Sequence, residues 1–69
     1  SIIFYDPPFD FETKMVENEI SLVSELIEIN GHLIIHRHSS SESIQLPKFY
    51  EIHKEKKFGQ SAILILNKI

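Results

Sequence analysis

Asp6-Pro7-Pro8-Phe9 is the stretch of this 69-residue sequence whose residue types and order suggest chemistry. Proline fixes φ near about −65° and drives the residue before it out of the helical region, so Asp6 is carried on extended, stiffened backbone. Its carboxylate is thereby aimed rather than mobile. Neither ring has an N–H, and the Pro7 carbonyl is left free to accept a hydrogen bond from a ligand. A carboxylate beside a carbonyl accepts both hydrogens of an amine, and Phe9 adds an apolar face on which a planar base can stack. Together these residues outline a pocket for an aminated base. Judged by spacing alone, a plain turn between strand and helix accounts for Asp-Pro-Pro equally well.

The elements that must hold this tetrapeptide are legible on either side of it. Residues 1–5 form a short apolar run, Ile2-Ile3-Phe4-Tyr5, without polar alternation, which predicts a strand buried on both faces as in a parallel sheet. Over residues 12–29 the apolar Met15, Val16, Ile20, Val23, Leu26 and Ile27 recur at spacings of three and four. That period predicts an amphipathic helix, with Asp10 or Thr13 as its N-cap and Asn30-Gly31 as its left-handed end. Residues 32–36 read as a second strand, parallel to the first through the usual right-handed crossover. The tetrapeptide would then sit at the carboxyl end of a strand, where open α/β sheets collect their ligands.

Residues 37–47, rich in serine, read as a surface loop. A hairpin is expected to close the chain: a strand over 49–58, a turn at Gly59-Gln60, and an apolar strand over 62–66. One helix can cover one face of such a sheet, so its apolar strands lack partners. The remainder is expected from a missing N-terminal half or from identical copies that pair exposed strands. A start at Ser1 without Met, with apolar residues following at once, fits a piece or processed product of a longer polypeptide.

Composition narrows the classes. At 42% hydrophobic and 25% charged residues the chain is globular in type, though a unit of this length buries only about 60% of its unfolded surface. The absence of cysteine excludes disulfides, thiolate metal sites and a cysteine nucleophile. No apolar run reaches the roughly 20 residues of a membrane span, and the expected setting is soluble and cytoplasmic. A net charge of −3 argues against a domain that coats nucleic acid, although Lys54, Lys56 and Lys57 form a local basic patch, for which simple solubility is the plainer account. His36-Arg37-His38 puts two histidines on one face of a strand end without an evident third ligand, so no metal site is expected. Phe49, Tyr50 and Phe58 fit core packing better than stacking on RNA.

Asp6-Pro7-Pro8-Phe9, entered by Ile2-Ile3-Phe4-Tyr5, resembles the (Asp/Asn/Ser)-Pro-Pro-(Tyr/Phe) signature of S-adenosylmethionine-dependent methyltransferases that act on adenine N6, guanine N2 or glutamine. The tail from Tyr50-Glu51-Ile52 through Lys56-Lys57-Phe58-Gly59-Gln60-Ser61-Ala62 resembles the closing hairpin of RsmD-type 16S rRNA (guanine-N2)-methyltransferases. The order of elements agrees along the whole chain. The resemblance implies an α/β fold, the C-terminal half of a Rossmann-like methyltransferase sheet, with residues 1–69 forming the C-terminal part of one domain.

By the same resemblance Asp6, Pro7, Pro8 and Phe9 are the catalytic residues. Asp6 and the Pro7 carbonyl would take the guanine N2 hydrogens, and Phe9 would stack on a base flipped from its helix. Arg37, His38, Lys56, Lys57 and Gln60 become candidate RNA contacts, and rRNA or the small ribosomal subunit the partner. S-adenosylmethionine is the implied cofactor, yet the family's glycine-rich loop and the acidic residue that hold it have no counterpart here, because the only glycines are Gly31 and Gly59. These residues alone are therefore expected neither to bind the cofactor well nor to methylate. An adenine-N6 DNA methyltransferase is the nearest alternative, which Tyr in place of Phe9 would have favoured. A non-catalytic remnant that self-associates is the alternative outside enzymes.

Overall fold

Apolar runs and their breakers define the elements. The computed structural model describes all 69 residues: β1 (Ile2–Tyr5), α1 (Thr13–Ser24), β2 (His32–His38), β3 (Tyr50–Phe58) and β4 (Ser61–Lys68). The strands make one sheet in the order β1-β2-β4-β3. β1 lies parallel to β2 with Tyr5 opposite Ile35, and β4 runs antiparallel between β2 and β3, with His38 opposite Ser61. β3 therefore points the same way as β1, which brings the Gly59-Gln60 turn to the sheet edge that carries Asp6. Gly59 has φ +57°, the left-handed conformation a tight hairpin needs.

The core is one layer deep. Val16 and Ile20 of α1, together with Ile27, pack on Leu33 and Ile35 of β2, Leu66 of β4 and Tyr50 of β3, all of them buried. Ile44 and Leu46 from the serine-rich loop extend the cover on that side. Alternation along the strands sends Ile2, Phe4, Ile34, Ile63 and Ile65 to the other face. Nothing in the chain covers it, and Ile2 and Phe4 are 69% and 58% exposed. The apolar run of β1 is thus half-buried on one face and exposed on the other, as a single helix allows.

The helix is shorter than its apolar period suggests. After Ser24 the backbone leaves the helix through two tight bonds, Leu26 N–H to the Val23 carbonyl and Ile27 N–H to the Ser24 carbonyl. The reason lies in the sheet. The Tyr50 hydroxyl donates to the Ser24 carbonyl at 2.8 Å, and the Lys68 ammonium donates to the Ile27 carbonyl at 2.6 Å and the Ser24 carbonyl at 3.4 Å. These donors satisfy carbonyls that a longer helix would have satisfied itself. Ile27 keeps its place in the core although it is no longer helical, whereas Leu26 and Ile29 are exposed.

The caps differ from expectation as well. Glu12 occupies the N-cap without a side-chain bond, Thr13 is the first helical residue, and Asp10 makes no cap. At the far end Asn30, with φ 72°, is the left-handed residue rather than Gly31. Gly31 is needed for closeness, since a Cβ there would stand 2.4 Å from Ile27 Cγ2. β2 runs two residues beyond its predicted end because β4 pairs with it as far as His38. Of the aromatic residues assigned to the core, Tyr50 is buried, while Phe49 and Phe58 are exposed. No helix is long and apolar enough to cross a membrane.

Tyr50→Phe removes the hydroxyl that closes α1 and keeps the ring. It is expected to lower unfolding free energy by about 1 kcal/mol, the value of one such hydrogen bond, as a reduced urea midpoint with unchanged slope. An unchanged midpoint would mean that the helix end is satisfied in some other way.

Candidate active site

Asp6 leaves β1 on the open face of the sheet because Tyr5, its neighbour, points to the helix side. Tyr5 is in contact with the core, and its hydroxyl donates to the Glu19 carboxylate. Burial, followed by that bond and the Glu19 charge, pushes the Tyr5 hydroxyl well above its ordinary pKa. The ring thereby pins the strand end from behind. Pro7 is buried and anchors the loop, while the Asp6 carboxylate remains half exposed. The Phe11 N–H takes the Pro8 carbonyl at 3.1 Å, and none of the backbone bonds outside the regular elements ends on the Pro7 carbonyl. The half-exposed Asp6 carboxylate is thus followed in sequence by a carbonyl without a backbone partner.

The same register sets His36 beside Asp6, since Tyr5 faces Ile35. His36 Nδ1 lies 3.1 Å from Asp6 Oδ1. The Phe9 ring stands nearly perpendicular to two imidazoles, 5.4 Å from His36 and 5.5 Å from His38 between ring centres. His38 Nδ1 in turn meets the Ser40 N–H at 3.1 Å and the Ser40 hydroxyl at 2.7 Å. Ser39 ties this end of β2 to the hairpin turn, its N–H donating to the Gln60 carbonyl at 2.9 Å and its hydroxyl to the Gly59 carbonyl at 3.2 Å. Asp6, Phe9, His36 and His38 thus form one cluster, and the Gln60 turn is joined to it.

Arg37 alternates to the opposite face. Its guanidinium donates to the Glu42 carbonyl at 2.7 Å and to Thr13 Oγ1 at 3.3 Å, fastening the serine-rich loop to the start of α1. Lys56 and Lys57, neighbours in β3, likewise diverge. Lys56 pairs with Ile63 and belongs to the open face, whereas Lys57 pairs with Ala62 on the face of Arg37. Of the candidate RNA contacts, His38, Lys56 and Gln60 lie on the Asp6 side or at the turn, and Arg37 and Lys57 lie behind the sheet. An open cleft of about 730 Å³ runs between residues 9–14 and 37–42, walled by Phe9, Thr13, Arg37 and His38, but Asp6 does not line it.

From its spacing, His36 reads as a polar residue at the strand end rather than as a metal ligand. No group of three or more His, Cys, Asp or Glu side chains is placed to hold a metal ion. The signal that identifies His36 as a neighbour of Asp6 is register, which follows once the two strands are aligned. Gly31 packs on Ile27, Gly59 lies in a hairpin, and the strand-to-helix loop has no glycine. The cluster offers oxygen acceptors and an aromatic wall.

A family model described as conserved hypothetical protein 95 matches residues 1–67. No curated protein matches the chain. A solved structure from Haemophilus influenzae, named as a candidate methylase, has a TM-score of 0.80 at 24% identity over 99% of this chain and 42% of its own. One from Escherichia coli, named as a candidate methyltransferase, has a TM-score of 0.80 at 23% identity over 97% of this chain and 38% of its own. These likenesses establish the fold, and this chain spans about two fifths of the length of either protein.

Arg37→Met keeps the stem and deletes both hydrogen bonds. The loop it fastens is expected to open more often, by about 1 kcal/mol, or roughly fivefold faster amide exchange at Gln45, whose N–H is held by Glu17. Exchange unchanged from wild type would show that Arg37 does not restrain the loop.

Proposed function

The chain belongs to the family described as conserved hypothetical protein 95, the RsmD-like family, and on that premise we propose that it is the amine-recognising, C-terminal part of a methyltransferase domain acting on guanine N2 in 16S rRNA. The observation that carries the proposal is that Asp6 and Pro7 follow the end of β1, with Phe9 packed on the His36 that meets Asp6. The names of the two structural neighbours support methyl transfer in general. The guanine substrate rests on the resemblance of the terminal hairpin and of the Asp-Pro-Pro-Phe motif.

The chemistry asked of these residues is modest. An exocyclic amine is a poor nucleophile because its lone pair is delocalised into the ring. Accepting its two hydrogens at Asp6 and at the Pro7 carbonyl holds the nitrogen so that the lone pair points out of the base plane. Phe9 fixes the plane of a base taken out of its stack. S-adenosylmethionine would supply a methyl group on a sulfonium that leaves as a neutral thioether, so no acid is required of the protein, and the proton that the nitrogen gives up for the methyl passes to the Asp6 carboxylate or to water. Orientation is then the main contribution of this chain, a class of effect that reaches about 7–11 kcal/mol in favourable cases.

The cofactor half of the domain lies outside these residues in this proposal. The uncovered sheet face, with Ile2 and Phe4 exposed, and the unpaired edge of β1 supply surfaces for it. His38, Lys56 and Gln60 stand where an rRNA strand would approach the Asp6 edge, and Arg37 and Lys57 would reach it only around the sheet. The setting is that of a cytoplasmic enzyme working on rRNA or the small ribosomal subunit. Asp6→Ala in the complete protein is expected to lower methyl transfer by at least about 10²- to 10³-fold, with cofactor affinity nearly unchanged by calorimetry. Retained activity would sink the role given to Asp6.

A further inference from the structure

The prolines stiffen the backbone at Asp6, but they do not fix its carboxylate. The terminal torsion of an aspartate is broad and nearly twofold, so nothing within the residue decides which oxygen faces a ligand. A second group must do so, and one is in place. We propose that His36 is a positioning residue for Asp6: its Nδ1–H donates to Oδ1 and leaves Oδ2 to the substrate amine beside the Pro7 carbonyl. The inference rests on the reading of Asp6 as the amine acceptor and deepens it.

Two observations and one chemical requirement converge on this assignment. The contact is 3.1 Å long, within hydrogen-bond range, and joins residues 30 apart in sequence that the β1–β2 register brings side by side. An ionised carboxylate only accepts, so the hydrogen of this bond must be on Nδ1 of His36. The imidazole is itself confined, its side chain 23% exposed against 54% for Asp6, with Phe9 edge-to-face to both it and His38. Phe9 thus belongs to the same device: it forms the wall for a base and the backstop for the histidine that orients Asp6.

His38 provides a built-in contrast. Its Nδ1 receives the Ser40 backbone N–H, which can only donate, so a neutral His38 carries its hydrogen on Nε2. Two histidines two residues apart, on one face and against one phenyl ring, are held in opposite tautomers. His36 is turned toward Asp6, and His38 is tied to the loop.

The test reads both the bond and its consequence in the complete protein. Long-range nitrogen–proton NMR of the imidazoles is expected to show His36 protonated on Nδ1 and His38 on Nε2, with His36 losing its preference for Nδ1 in Asp6→Ala while His38 is unaffected. His36 protonated on Nε2 in the wild type would overturn the proposal. In methyl-transfer assays His36→Leu is expected to lose about 10- to 100-fold in kcat with KM for RNA nearly unchanged, the scale of losing a partner one step removed from the reacting group. His36→Asn, whose amide N–H can stand where Nδ1–H stood, should recover most of that loss. Full activity of His36→Leu, or no rescue by Asn, would overturn the positioning role while leaving Asp6 as the acceptor. A wild-type protein that methylates no amine would instead strike the functional reading, and the tautomer of His36 would then decide the hydrogen bond by itself.

Discussion

The register that sets Tyr5 of β1 against Ile35 of β2 decides the face on which each side chain of the candidate site lies. Side chains alternate along a strand, so a slip by one residue would exchange the buried and the open sets. In the observed register Ile3, Tyr5, Leu33 and Ile35 meet α1, and Asp6, His36 and His38 share the opposite side at the strand ends. Burial of Leu33 and Ile35, both 1% exposed or less, is what makes the slip costly. The position of the carboxylate is therefore secured by the hydrophobic core rather than by anything polar in its vicinity.

Long-range ties then convert a small sheet into a defined edge. Tyr50 and Lys68 reach back from β3 and β4 to close the end of α1, Arg37 closes its beginning against the loop, and Ser39 ties β2 to the hairpin turn. None of these bonds touches Asp6. Their combined effect is that the strand end, the loop after it and the hairpin turn keep one arrangement, which is what an orienting site requires. β3, apart from Tyr50, is exposed and highly charged, and its bulge between Ile52 and Lys54 breaks the regular ladder, devices that suit an outer strand.

Much of this was legible in the residues. The apolar runs at 2–5, 33–35 and 62–66 marked the strands, the three-and-four spacing marked the helix, and Gly59-Gln60 marked the turn. The helix was read too long because Leu26 and Ile27 keep the helical period after the backbone has left it. The carbonyl donors that permit the early end, Tyr50 and Lys68, lie 26 and 44 residues from Ser24 in sequence, beyond any local pattern. The extent of β2 was short by two residues for a similar reason: Arg37 and His38 look like loop until β4 pairs with them. Once they are strand, alternation separates Arg37 from His38 and Lys56 from Lys57, a division that listing basic residues does not reveal. Asp6 was found from its own chemistry, whereas His36 needed the register.

The sheet is covered on one face, and Ile2 and Phe4 lie exposed on the other. The most direct measurement is the identity of the modified nucleoside formed when the complete protein acts on 16S rRNA or small subunits with labelled S-adenosylmethionine, read by digestion and mass spectrometry. N2-methylguanosine at one site is the expected product. A methyl group found at a ring nitrogen, at carbon or on a ribose, none of which presents two amine hydrogens to Asp6 and Pro7, would contradict it.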